Sequence, residues 1–99
     1  MRLKDKVALV TGAGSGMGAA IAQGYLKEGA RVVFADINVE AAQKAAQESG
    51  ASEDMWLATY INVGNQADVT DCVEQTVQKF GRLDIARSKR GNYDKETFS

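Results

Sequence analysis

Val7-Ala8-Leu9-Val10-Thr11-Gly12-Ala13-Gly14-Ser15-Gly16-Met17-Gly18 is the stretch that decides how this chain folds. Its first four residues form a continuous apolar run. With no polar residue alternating through it, such a run reads as a strand buried on both faces, as a parallel sheet requires. The run stops at Thr11-Gly12, and glycines follow at positions 12, 14, 16 and 18. Behind them Met17, Ala20, Ile21 and Leu26 recur at helical spacing as far as Gly29, a good helix stop. Gly24 lies inside that helix, where it should cost about 1 kcal/mol relative to Ala. A close approach of helix to sheet would explain it.

Outward from this stretch the same alternation repeats. Arg31-Val32-Val33-Phe34-Ala35 is a second buried-strand pattern ending in Asp36. Asn38 then fits the N-cap of an alanine-rich helix over Val39 to Ser49, closed by Gly50. Met55 to Ile61 is a third strand candidate, rich in β-branched and aromatic residues, and it ends at Asn62-Val63-Gly64. Asn65, with Asp68 three residues on, resembles a capping arrangement for a third helix. Its inner stripe is Val69, Cys72, Val73, Thr76, Val77 and Phe80, and Gly81 ends it. Leu83-Asp84-Ile85 begins a fourth strand that does not continue.

Strands alternating with helices predict an α/β fold. It is a Rossmann-type doubly wound parallel sheet in three αβα layers, here its amino-terminal part only. Residues 1–85 form that part, and residues 86–99 read as a polar tail or loop. The basic patch Arg87-Ser88-Lys89-Arg90 fits a solvated segment better than a phosphate or targeting patch.

Composition narrows the function classes. At 99 residues the chain holds one domain at most. Twelve Lys and Arg against 13 Asp and Glu leave a net charge of −1, with no run of one sign to suggest a nucleic-acid or membrane partner. A single cysteine and no histidine exclude an internal disulfide and leave a metal cage without ligands. Cys72, at an apolar helical spacing, reads as a small buried hydrophobe rather than a reactive thiol. The cytosol is the expected compartment. The apolar run after the charged Met1–Lys6 segment is too short for a signal peptide or a membrane span.

The glycine cluster carries chemistry because it follows a strand and opens a helix. Backbone N–H groups at a helix N-terminus carry partial positive charge, so a pyrophosphate is stabilised there. Glycine stands where the backbone must come close. Asp36 ends the second strand, where a carboxylate accepts hydrogen bonds from adenosine ribose hydroxyls and repels a 2′-phosphate. The competing reading of Asp36 is a turn residue leading into the helix. No Arg or Lys stands in the glycine loop or at position 37, which favours NAD over NADP. Asn62 ends the third strand, at the carboxyl edge where ligands of open parallel sheets bind. Its side-chain oxygen can accept from an adenine amino group, or it is an ordinary strand-terminating Asn.

Thr11 to Gly18 resembles the Thr-Gly-x-x-x-Gly-x-Gly cofactor signature of the short-chain dehydrogenase/reductase family. The resemblance takes in Leu3 to Val10, Asp36 and Phe80-Gly81-Arg82-Leu83-Asp84-Ile85. It implies a doubly wound domain with the dinucleotide along the strand carboxyl ends. Gly12, Ser15, Gly16, Met17 and Gly18 would surround the pyrophosphate and adjoining ribose. Asp36 and Ile37 would flank the adenosine ribose, and Asn62 with Val63 the adenine. The family more often has Asp where Asn62 stands.

The match breaks after Ile85, where the family continues with an apolar pair and Asn-Asn-Ala-Gly but this chain has Ala86-Arg87-Ser88-Lys89. The family's catalytic Tyr-x-x-x-Lys is also absent, since Tyr25, Tyr60 and Tyr93 are followed four residues on by Gly29, Gly64 and Thr97. Tyr93 to Ser99 is similar to the family's lead into its next helix, which suggests a short stretch missing near Ile85. No catalytic or metal-binding residue is therefore assigned.

The leading expectation is an NAD-dependent oxidoreductase moving hydride between nicotinamide and a small carbonyl or alcohol substrate. This chain would carry its cofactor-binding half. A non-catalytic dinucleotide-binding module or truncated product is the alternative. A methyltransferase is disfavoured by the Thr-Gly start and the Phe-Gly-Arg-Leu-Asp run. Family members commonly form dimers or tetramers through later helices, so homo-oligomerisation is compatible with the resemblance.

Overall fold

A computed structural model describes residues 3–88 and 91–93. Strand β1 (Val7–Thr11) leads to helix α1 (Gly16–Lys27), β2 (Arg31–Asp36) to α2 (Val39–Glu48), and β3 (Trp56–Tyr60) to α3 (Gln66–Phe80). Strands β4 (Ile85–Ser88) and β5 (Gly91–Tyr93) follow, and a single 3₁₀ turn (Glu53–Met55) precedes β3. The sheet order is β3-β2-β1-β4-β5. The first four strands run parallel, and β5 is antiparallel to β4.

The continuous apolar runs are explained by burial on both faces. Ala8, Val10, Val32 and Phe34 pack with Ala22 and Leu26 of α1 and Ala42 and Ala46 of α2. The alternate residues Leu9, Val33 and Ala35 face the other way, onto Cys72 of α3. Helices on both sides of a parallel sheet make the expected three layers. Cys72 is fully buried, and burial pushes its thiol up to about 12, so it is protonated and inert at neutral pH.

The asparagines at positions 38 and 65 do cap their helices. Asn38 accepts from the Ala41 N–H at 3.1 Å, and Asn65 from the Ala67 and Asp68 N–H groups at 2.9 and 3.3 Å. Gly81 closes α3 in the left-handed region at φ 83°. Gly24 departs from expectation. A Cβ there would meet nothing within 4 Å, because the residue faces a groove with Ile21, Tyr25 and Arg87 instead of the sheet. Close packing therefore does not account for it.

The fourth strand also corrects the sequence reading. It does continue, pairing Ala8 with Ile85, Leu9 with Ala86 and Val10 with Arg87. Parallel pairing uses backbone groups, and β1 has a second edge to offer whatever side chains arrive there. Ala86 is small enough to be buried. The Arg87 guanidinium reaches the Tyr25 hydroxyl at 3.4 Å. Residues 86–88 and 91–93 thus belong to the sheet and not to a tail. Lys89 and Arg90 of the basic patch lie outside the described residues. So do residues 94–99 of the segment similar to a helix lead, while Tyr93 itself is in β5.

Candidate functional site

Parallel strands put their carboxyl ends on one edge. The register pairs Thr11 with Ala35 and Asp36 with Tyr60, so the loops after β1, β2 and β3 stand side by side. Gly12–Gly18, Asp36-Ile37 and Asn62-Val63 are therefore neighbours, and hydrogen bonds tie Asp36 to the first loop and to Ile61, the residue before the third. Gly14 N–H donates to Asp36 Oδ2 at 2.8 Å, and Ile61 N–H donates to the Asp36 carbonyl at 3.1 Å.

The first loop is shaped by close backbone approach. A Cβ on Gly18 would lie 2.0 Å from the Gly12 carbonyl oxygen, and one on Gly14 would lie 2.8 Å from Asp36 Oδ2 and 2.9 Å from Ala41 Cβ. Ser15 precedes α1 with extended backbone and makes no side-chain cap hydrogen bond, and the first turn holds no acidic residue. The N–H groups that open α1 are thus left without a capping side chain, at the positive end of the helix dipole. Such a terminus suits an anion that brings its own acceptor oxygens.

Asp36 does the work of the turn as well as facing the loop, since Oδ1 accepts from the Asn38 N–H at 2.9 Å. Asn62 Oδ1 accepts from the Gly64 N–H at 3.0 Å. That leaves one lone pair and the amide N–H₂ for a ligand. Met17, Ile37 and Val63 are large apolar side chains left exposed at 71%, 65% and 53%. Three such residues along one edge offer flat rings an apolar contact.

Two contributors escaped the sequence reading. Ala41, on the first turn of α2, limits the space beside Gly14; the Asn38 cap was the sign that this turn lay close. Lys44 shares with Gly14, Ser15 and Gly16 a groove of about 450 Å³ between α1 and α2. It is 4.0 Å from Glu48 on its own helix, and helical spacing alone could not show that it borders the glycine loop.

The amino end of the sheet is closed by different means. Val7 N–H donates to Asp84 Oδ2 at 2.9 Å, Asp84 N–H donates to the Val7 carbonyl at 2.9 Å, and Arg82 Nη2 donates to Asp84 Oδ1 at 2.6 Å. Burial raises the Asp84 carboxyl. The Arg82 guanidinium and the Val7 N–H outweigh that effect and hold it below the usual carboxylate range. Among the described residues no group of three His, Cys, Asp or Glu could hold a metal ion, and no helix is long and apolar enough to cross a membrane.

A parallel sheet with helices on both faces and a glycine turn opening its first helix defines an α/β domain of the doubly wound, nucleotide-binding class. The short chain dehydrogenase family model matches residues 6–92, and the chain belongs to that family. It is 40% identical over 94 residues to a sorbitol dehydrogenase of Cereibacter sphaeroides, covering 95% of this chain and 36% of that protein. It is 40% identical over 90 residues to a D-threitol dehydrogenase of Mycolicibacterium smegmatis, covering 91% and 35%. A crystal structure of 3-ketoacyl-(acyl-carrier-protein) reductase from Brucella melitensis complexed with NADH superposes with a TM-score of 0.78. That match has 43% identity and covers 85% of this chain and 33% of that one. These relatives are oxidoreductases, and the chain spans about a third of their length.

Proposed function

We propose that this chain holds the adenosine and pyrophosphate half of a nicotinamide dinucleotide, NAD in preference to NADP. It would do so within a cytosolic oxidoreductase that acts on a small carbonyl or alcohol. The observation that carries this reading is the uncapped N-terminus of α1, placed behind a glycine turn and beside a carboxylate at the end of β2. The residues fit the group: a side chain on Gly18 would strike the Gly12 carbonyl, so loop and helix come together only without one, and the opening N–H groups of α1 match phosphate oxygens. Gly12, Ser15, Gly16, Met17 and Gly18 would receive the pyrophosphate and adjoining ribose. Asp36 and Ile37 would receive the adenosine ribose, and Asn62 and Val63 the adenine.

When bound, the nicotinamide supplies hydride transfer. This chain's own residues bind and orient the other end of the molecule. Asp36 would accept from the ribose hydroxyls and repel a 2′-phosphate. None of the three tyrosines has a lysine four residues on, so no proton-transfer pair is assigned to these residues.

Titration with NADH and NADPH, followed by nicotinamide fluorescence, tests the reading. NADH should bind more tightly by about tenfold or more, the equivalent of one charge-assisted hydrogen bond. Equal or tighter NADPH binding would remove the NAD preference, and binding of neither would remove the proposal. One observation favours a second reading, a dinucleotide-binding module without catalysis. Strand β5 turns back antiparallel on β4 and covers the edge where a further parallel strand would pair. Binding of NADH without turnover of any carbonyl substrate would support that alternative.

A further inference from the structure

We propose that Asp36 is a positioning residue for the glycine loop, a latch that gives the loop its anion-binding shape before any ligand arrives. The loop has little stiffness of its own. Three of the five residues from 12 to 16 are glycine, and glycine loses the most backbone freedom on ordering. Its order must come from outside, and two bonds from β2 supply it. Ala13 N–H donates to the Ala35 carbonyl at 3.1 Å, and Gly14 N–H donates to Asp36 Oδ2 at 2.8 Å.

The carboxylate cannot easily swing away. Its other oxygen accepts the Asn38 N–H at 2.9 Å, at the start of α2. The absence of a side chain at Gly14 is what lets it come so close, since a Cβ there would fall 2.8 Å from Oδ2. An ionised carboxylate offers about four acceptor sites. Two are spent on backbone N–H groups, and two remain for a pair of ribose hydroxyls. One side chain thus sets the loop and faces the ribose. A substitution that makes room for a 2′-phosphate by removing Asp36 therefore also loosens the loop that holds the pyrophosphate. The identity of the ligand rests on the function proposed above; the latch itself does not.

Amide hydrogen exchange of the ligand-free chain tests the latch directly. In Asp36→Ala, protection of the Gly14 amide should fall by about tenfold or more while the amides of Val33 and Phe34 keep theirs, the mark of local opening. If that variant does not fold, Gly14→Ala serves. Its Cβ displaces the carboxylate, and the amide at position 14 should lose protection with Asp36 still present. Retained protection at position 14 in whichever variant folds would overturn the proposal.

Binding of ADP and 2′,3′-dideoxy-ADP supplies a readout that ribose recognition alone would not move. A residue that only reads hydroxyls leaves the dideoxy nucleotide unaffected when it is removed. Loss of a negative charge near an anion would by itself tighten binding. Weakening of dideoxy-ADP by about threefold or more in Asp36→Ala would therefore report lost loop geometry. Equal or tighter dideoxy-ADP binding in that variant would overturn the latch. If the unaltered chain binds neither nucleotide, the proposed function fails, and the exchange experiment decides the latch alone.

Discussion

Helices α1, α2 and α3 all leave the same edge of one sheet, yet they begin in two different ways. Asn38 and Asn65 close the first turns of α2 and α3 with their side-chain oxygens. Ser15 stands at the same position before α1 and closes nothing. A helix start with no cap forgoes about 1 kcal/mol, and the loop before α1 is also crowded with glycine. Stability alone favours neither feature. The difference teaches that the start of α1 leaves its N–H groups without a capping side chain, as the pyrophosphate site proposed above requires, whereas the starts of α2 and α3 close theirs within the chain.

The largest effect should come from filling that turn. Gly18→Ala would place a Cβ 2.0 Å from the Gly12 carbonyl oxygen, and backbone on both sides leaves no flexible group to yield. The cost should be about 3 kcal/mol, at the upper end for overpacking, with loss of NADH binding. Urea denaturation and a fluorescence titration measure the two. A variant of unchanged stability would mean that loop and helix stand further apart than the structure places them.

A second test concerns the opposite end of β1, where Asp84 ties Val7 to Arg82. Asp84 is held below the usual carboxylate range, so its proton binds less readily in the folded chain than in the unfolded one. Its stabilisation is therefore complete above the unfolded value near about 4 and is lost as pH falls from there through the lowered folded value. Asp84→Asn should cost about 1.5–3 kcal/mol at neutral pH, the range for hydrogen bonds to charged groups. It should also flatten the stability profile below about pH 4. Urea midpoints across pH for both proteins measure this; parallel profiles would show that Asp84 is not the titrating anchor.

Removing caps tests the comparison itself. Asn65→Ala should cost about 1 kcal/mol. Ser15→Ala should stay within about 0.5 kcal/mol, as for a surface residue without a structural role, while weakening NADH binding. Thermal or urea unfolding separates the pair, and a Ser15 cost equal to that of Asn65 would erase the distinction between the helices.

What could be read in advance follows the same division. The strand at Val7–Val10 and the caps at Asn38 and Asn65 were legible because local spacing and local hydrogen bonds determine them. The bond from Gly14 to Asp36 spans 22 residues, and no local pattern encodes it. The start of strand β4 at Ile85 was legible, but its continuation was missed because Arg87 and Ser88 lack the apolar pattern of a buried strand, while the parallel pairing with β1 draws on backbone groups alone. Lys44 was missed as a neighbour of the glycine loop because that proximity arises from α1 and α2 packing side by side.

Gly24 offers the smallest and most pointed test. The expectation of close packing there fails, because a Cβ would meet nothing within 4 Å. Gly24→Ala should then stabilise the chain by about 0.5–1 kcal/mol, the usual difference between these residues inside a helix. Unlike Gly18, which the fold cannot exchange, Gly24 should be free to change at no cost to NADH binding. Thermal unfolding of the variant reads the sign directly. A loss where a gain is expected would show that another backbone comes against this face of α1 in solution, and Gly24 would then join Gly18 as a residue selected by close approach.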